Sequence, residues 1–251
     1  MYDHNEKAGN QGDVIKHVAL LAAANAIMKP LNGTFHYADT FAGYAYNPIR
    51  SAGEWQNGIG ALNKPSKKIL NADICFWQSL WRCDVGLPGS VYPGSSTFIR
   101  KLCLKNSFKF KASLWDISPA VVSQLMQAYD PNDVEIFSRS ARVNDLAAME
   151  PDLLLIDPPD LEVVEHLLKF FEVVPNLILW LPILSDGDRE TKLSKHAHTI
   201  CQKRDYNILS VLWAGSGKMT GCRLVCQLEE EAFASLKAAV RDTVNIMGWE
   251  L

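Results

Sequence analysis

The 251-residue chain contains no apolar run of 18 residues, so no segment is expected to cross a bilayer as a helix. Its six cysteines (Cys75, Cys83, Cys103, Cys201, Cys222, Cys226) include no C-x-x-C pair, which excludes the common zinc and dithiol spacings. They read as reduced thiols of a cytoplasmic protein. His196 and His198 lie two apart on an expected helix and face different sides, so no metal site is expected. Basic charge is not in excess: 25 Lys and Arg stand against 28 Asp and Glu, a net charge of −3. That balance argues against a protein that coats nucleic acid non-specifically, but leaves room for a local basic patch. The chain has no repeats, no low-complexity tracts and no apolar heptads, and a monomer is expected. Met1-Tyr2-Asp3-His4-Asn5-Glu6 is too polar for a signal peptide, consistent with a cytoplasmic location. A hydrophobic content of 48% over this length suffices for one large domain, taken as residues 1–251.

What is present is alternation. Helical patterns over Asp13 to Met28, Ser95 to Lys105, Pro119 to Tyr129, Glu162 to Val173, Asp186 to Arg204 and Glu230 to Val244 alternate with strand patterns. The strands are expected at Thr34 to Asp39, Phe108 to Trp115, Val134 to Phe137, Leu153 to Ile156, Asn176 to Leu181, Asn207 to Trp213 and near Cys222 to Leu228. Residues 46–92, with Trp77 and Trp81, read as an irregular helical insertion. The pattern predicts an α/β fold: a doubly wound, mostly parallel, seven-stranded sheet. The last two strands are joined by the short turn Ala214-Gly215-Ser216-Gly217-Lys218 and form an antiparallel terminal hairpin. That layout is the class I methyltransferase sheet, in which ligands bind beyond the carboxyl ends of the strands.

The strongest signal is such an end. Leu153-Leu154-Leu155-Ile156 reads as a buried central strand, and Asp157-Pro158-Pro159 follows it directly. Two prolines donate nothing to a sheet, so pairing stops and the chain stiffens there. A carboxylate and a carbonyl emerging together suit an exocyclic amine, because two fixed acceptors aim its lone pair. An ordinary strand-to-loop transition has the same look. After the first strand comes Asp39-Thr40-Phe41-Ala42-Gly43, a one-glycine loop that suits a cofactor without phosphates, or a plain tight turn. Asp116, after the second strand, can accept ribose hydroxyls. Tyr92-Pro93-Gly94-Ser95-Ser96 reads as a Ser-capped helix start, which favours a carboxylate ligand or is only a cap. Lys16 and His17 lie one turn into the first helix, beside the apolar face Val14, Val18 and Leu21. There His17 is either a site residue or a satisfied core histidine.

In order along the chain these residues resemble the RlmJ-type bacterial 23S ribosomal RNA adenine-N(6) methyltransferases. The resemblance rests on Ala8-Gly9-Asn10, Asp13-Val14 and Lys16-His17; on Asp39-Thr40 with Ala42-Gly43; and on Gly53-Glu54-Trp55 with Gly58-Ile59. Tyr92-Pro93-Gly94-Ser95, Asp157-Pro158-Pro159, Leu179-Trp180 with Pro182, and Met219-Thr220-Gly221 complete it. It implies S-adenosylmethionine as cofactor and ribosomal RNA, protein-free or precursor, as partner. It implies that Asp157 and Pro158 carry the chemistry. His17, Asp39, Phe41, Gly43, Ser95, Asp116, Ser138 and Asp157 would then bind the cofactor, and Tyr2, Asp160 and Trp180 would meet the substrate.

The chain also departs from that family. Asp160 stands where the family has an aromatic residue that stacks on adenine, a contact worth roughly 1–3 kcal/mol. Phe41 replaces a histidine, Ser138-Arg139 replaces an Asp-Gly pair, and Cys226-Gln227-Leu228 lacks an Asn-Pro-Pro ending. Three readings follow: an RNA adenine methyltransferase, a divergent methyltransferase whose Asp160 selects a cationic or amine-rich substrate, or a non-catalytic descendant that binds cofactor, RNA or a partner protein.

Overall fold

The first helix starts where the sequence offers a cap. Asn10 Oδ1 accepts the Asp13 N–H at 3.0 Å, and α1 (Gln11–Met28) follows. In the computed structural model, which describes residues 7–49, 53–62, 70–81, 90–159, 167–203, 206–213 and 218–251, α1 is buried on nearly every side. A helix apolar all round belongs inside a protein. Its few polar side chains, Lys16 and His17 among them, are therefore carried into the interior.

The remaining elements are β1 (Thr34–Asp39), β2 (Tyr46–Pro48), α2 (Ile59–Leu62), α3 (Ala72–Trp81), β3 (Val91–Pro93), α4 (Ser95–Lys105), β4 (Lys109–Trp115), α5 (Pro119–Ala128) and β5 (Val134–Phe137). They continue as α6 (Val143–Met149), β6 (Leu153–Ile156), β7 (Leu177–Leu184), α7 (Gly187–Lys203), β8 (Asn207–Leu212), β9 (Met219–Gln227) and α8 (Glu230–Met247). The sheet has seven strands in the order β5-β4-β1-β6-β7-β9-β8. The pairs β1–β4, β1–β6, β4–β5 and β6–β7 are parallel, and β9 runs antiparallel to both β7 and β8. The final hairpin thus inserts its returning strand between its partner and the rest of the sheet.

Alternate residues of the central strands feed two cores. Leu153, Leu155 and Ile178 face the core built on α1, α4 and α8. Leu154, Ile156, Leu177, Leu179 and Leu181 face the other, with Phe170, Phe171, Leu193 and Ala197. All four residues of β6 are buried, as expected for a parallel strand covered on both faces. The 46–92 stretch joins the first core through Ile59, Leu62, Ile74 and Trp77.

Several boundaries differ from the sequence reading. The 46–92 stretch opens and closes on strands, because Tyr46–Pro48 pairs antiparallel with Val91–Pro93 and brings its ends together. Helix α6 had no counterpart in the sequence reading; Asp145, its third residue, accepts the Arg142 N–H at 3.0 Å and starts it. Strand β7 runs on through Pro182 to Leu184, where β6 no longer lies beside it and a missing donor is tolerated. Of the expected helix over 162–173, residues 168–172 form a 3-10 turn (Leu168–Glu172), and 160–166 lie outside the described residues. The turn 214–217 lies outside them as well. No described helix is long and apolar enough to cross a membrane.

Candidate active site

Three acids mark the carboxyl ends of three neighbouring strands. Asp39 ends β1, Asp116 follows β4 and Asp157 follows β6. The chain winds from β1 through β4 to β5 on one side and from β6 to β7 on the other, so the order reverses between β1 and β6. Ligands of such sheets bind in the crevice at that reversal.

Asp157 is held from below by α1. Its Oδ2 accepts from Lys16 Nζ at 2.6 Å, and the same ammonium reaches Asp13 Oδ1 at 2.8 Å. The Lys16 side chain is 11% exposed, against 20% for Asp13 and 24% for Asp157. Burial disfavours the Lys16 charge, but Asp13 and Asp157 outweigh it and hold its pKa well above the usual lysine value. Burial likewise pushes Asp13 up, and Lys16 pulls it below its ordinary value. Pro158 is buried and Pro159 exposed, so the chain leaves the core within two residues.

Asp39 faces inward. It is 1% exposed; its Oδ2 accepts from Tyr37 Oη at 2.8 Å and its Oδ1 from the Phe41 N–H at 3.1 Å. Burial lifts its pKa to about 7 against the pull of those two donors. The Asp39 carboxylate thus shapes the loop after β1 from inside. Phe41, half-buried, packs against the second core. Gly43 adopts φ +60° with nothing within 4 Å of where a Cβ would stand, so the loop needs glycine and leaves room beside it.

Asp116 ties that loop to the next. Its Oδ2 accepts from the Gly43 N–H at 3.1 Å and its Oδ1 from the Ser118 N–H at 2.8 Å. Each carboxylate oxygen keeps acceptor capacity. Ser138 is exposed after β5; Arg139 beside it makes a two-bond pair with Asp145 at 2.6 and 3.0 Å, its guanidinium 5.2 Å from the Phe137 ring. The cation in this departure from the Asp-Gly pattern is thus neutralised locally.

His17 is a satisfied interior histidine. Its Nδ1 lies 2.8 Å from Tyr92 Oη and its Nε2 3.0 Å from Ser95 Oγ, and burial lowers its pKa to about 3. Both His17 ring nitrogens are engaged, while the Ser95 hydroxyl keeps acceptor capacity beyond its one bond to His17. Ser95 is also not the cap expected of it: Gly94 is, and a Cβ there would stand 2.1 Å from Tyr44 O. Close backbone approach outweighs side-chain capping at that position.

Trp180, half-buried on β7, lies against α1: a Cβ on Gly12 would come 2.8 Å from its Cζ2, and Lys16 Nζ is 6.0 Å from its ring centroid. It therefore adjoins the Lys16–Asp157 pair. Tyr2 and Asp160 lie outside the described residues. Lys16 was singled out in the sequence only as a neighbour of His17; the signal for it was the i,i+3 spacing from Asp13, which places both charges on one helix face. Tyr92 escaped notice as the partner of His17 because no sequence pattern links positions 75 residues apart.

The loop at Gly43 is open beside the glycine, and the Asp116 carboxylate that holds it keeps acceptor capacity of the kind a ribose requires. No family model and no curated protein matches the chain by sequence. Solved structures do resemble it. A Legionella pneumophila protein of the family model DUF519 superposes with a TM-score of 0.71 at 20% identity, covering 96% of this chain and 94% of that one. A Listeria monocytogenes protein, named as a candidate class I S-adenosylmethionine-dependent methyltransferase, gives 0.47 at 11% identity over 92% of this chain and 64% of its own. A Pyrococcus horikoshii protein, named as a candidate RNA methyltransferase, gives 0.42 at 10% identity over 90% and 87%. With seven strands in this order and the reversed strand one place in from the edge, the chain has the class I methyltransferase sheet layout expected from its sequence.

Proposed function

We propose that this protein transfers a methyl group from S-adenosylmethionine to the exocyclic amine of adenine in ribosomal RNA. The observation that carries the reading is the Asp157 carboxylate, anchored by Lys16 at 2.6 Å where the central strand runs into Pro158-Pro159. Asp116 and the Gly43 loop would hold the cofactor. Bound there, S-adenosylmethionine would supply an electrophilic methyl on a sulfonium, its methyl–sulfur bond giving way to the new methyl–nitrogen bond with a neutral thioether as the leaving group.

The chain's own residues position the acceptor. With Oδ2 of Asp157 committed to Lys16, Oδ1 accepts one amine hydrogen and the Pro158 carbonyl accepts the other. That pairing turns the nitrogen lone pair toward the donor, and Asp157 receives the proton the methylated amine sheds and passes it to water. No covalent intermediate and no cysteine is involved; much of the acceleration is positioning. Trp180, beside Lys16, supplies an apolar wall. The adenine must come from unpaired RNA or be flipped out to reach the strand end. Asp157→Ala tests the reading: transfer should be lost while S-adenosylmethionine affinity, measured by calorimetry, falls far less. Transfer at the parent rate would make Asp157 structural.

A second reading rests on Asp160. A carboxylate in place of a stacking ring adds negative charge where an RNA backbone would lie and favours a cationic, amine-rich acceptor. Asp160→Tyr separates the two. It should preserve or raise transfer to RNA under the first reading, and sharply reduce transfer to a small amine under the second.

A further inference from the structure

We propose that Asp13 is a positioning residue for Asp157, acting through Lys16; the inference rests on the reading of Asp157 as the acceptor for the substrate amine. Lysine is a poor clamp by itself, because its ammonium rides on four rotatable carbons and offers three donors in any direction. Here the second carboxylate fixes it. Asp13 Oδ1 lies 2.8 Å from Lys16 Nζ on one side, and Asp157 Oδ2 lies 2.6 Å away on the other.

Asp13 itself has little freedom. Its N–H is bound by Asn10 Oδ1 at 3.0 Å, and its Oδ2 accepts the Gly9 N–H at 2.8 Å. Asn10 is tied in turn to Glu54 Oε2 at 3.1 Å, and the Gly9 carbonyl takes the Ile59 N–H at 3.0 Å. Gly58 presses on the same turn, so that a Cβ there would stand 2.2 Å from Gly9 O. The anchor of Lys16 is therefore part of the packed junction between the start of α1 and residues 54–59, not a mobile surface acid.

The arrangement has two effects on Asp157. It commits one named oxygen, Oδ2, and leaves Oδ1 for the amine. It also divides one ammonium between two carboxylates, so the cluster keeps a net negative charge and Asp157 stays a stronger acceptor than it would be in a neutral pair. An Asp13 that served only to start the helix would do neither.

Asp13→Asn removes the charge while keeping an oxygen for the Gly9 N–H. The parent, Asp13→Asn, Lys16→Met and the double variant would be compared for methyl transfer to protein-free ribosomal RNA, S-adenosylmethionine affinity by calorimetry, and melting. In parallel, the slowly exchanging side-chain ammonium signal of Lys16 would be followed by proton–nitrogen NMR. Asp13→Asn should lower kcat roughly tenfold or more through misplacement of Asp157, with cofactor affinity within about twofold, and should broaden or abolish the Lys16 ammonium signal. In the Lys16→Met background the same change should cost nothing further, because coupled residues are not additive. Parent kcat in Asp13→Asn, additive losses in the double variant, or an unchanged Lys16 signal would overturn the proposal. If the parent itself transfers no methyl to any RNA, the proposed function fails, and the Lys16 signal alone decides whether Asp13 fixes the ammonium.

Discussion

Lys16→Met should unfold this protein more readily at neutral pH and hardly at all more readily in acid. The substitution keeps most of the aliphatic stem beside Trp180 and removes the one cation between Asp13 and Asp157. At an effective dielectric of about 20, unit charges 2.6 and 2.8 Å apart attract by about 6 kcal/mol each before desolvation is subtracted. Losing one partner of a buried pair costs about 3–5 kcal/mol, since the other is left uncompensated. Asp13 and Asp157 keep 20% and 24% of their surface. Water therefore screens part of the loss, which brings the expected cost to about 2–4 kcal/mol. For a chain of this size that is a fall of about 4–16 °C in melting temperature. The sign with pH follows from Asp13, whose folded pKa lies below its ordinary value of 3.8. Its contribution is present above that value and fades as pH falls through the folded pKa. The gap between parent and variant should be full above about pH 4 and close only as pH falls through the folded pKa of Asp13, below 3.8. Urea titration followed by tryptophan fluorescence at pH 7 and at about pH 2 measures it. Equal stability at pH 7, or a gap of the same size at both pH values, would refute the reasoning.

Three further outcomes are expected. Asp116→Ala should weaken S-adenosylmethionine binding by about 1.5–3 kcal/mol in calorimetry, the worth of a hydrogen bond to a charged group. Asp39, with a folded pKa of about 7, holds more protons folded than unfolded between pH 4 and 7, so the parent should lose stability as pH rises through that window. Asp39→Asn should flatten that slope, about 3 kcal/mol between pH 5 and pH 8, in denaturant midpoints read at those two values. Gly58→Ala should cost roughly 1–3 kcal/mol or more because its Cβ meets backbone, whereas Gly187→Ala, with nothing within 4 Å, should be tolerated.

Local chemistry and periodicity made most of the sheet legible. Thr34–Asp39, Val134–Phe137 and Leu153–Ile156 form as their patterns predict; Leu153–Ile156 is buried throughout, and such a parallel strand has no polar face to blur the signal. The reversed strand followed from one short turn between two strand patterns. Helix α6 was not legible, because seven residues carry too little periodicity and its start depends on Asp145 reaching the Arg142 N–H. The Val91–Pro93 strand exists only through its partner 45 residues earlier in the chain.

The site was legible in position more than in role. Asp39, Asp116 and Asp157 stand at strand ends as read, yet the Asp39 carboxylate turns inward to Tyr37 and Phe41. Sequence gives the strand parity of an acid but not whether a tyrosine two residues earlier captures it. His17 shows the same limit, since Tyr92 and Ser95 consume both its nitrogens from distant elements. Lys16 gained its place at the site only when α1 was laid across the carboxyl end of β6.

The central claim is that Asp157 at the end of β6 presents an adenine amine for methylation. Its most direct test is to incubate the purified protein with S-adenosylmethionine and protein-free ribosomal RNA, digest the RNA to nucleosides and quantify N6-methyladenosine by mass spectrometry, alongside Asp157→Ala. The account predicts N6-methyladenosine above background with the parent and none with the variant. S-adenosylmethionine binding without any N6-methyladenosine, or equal amounts from parent and variant, would contradict it.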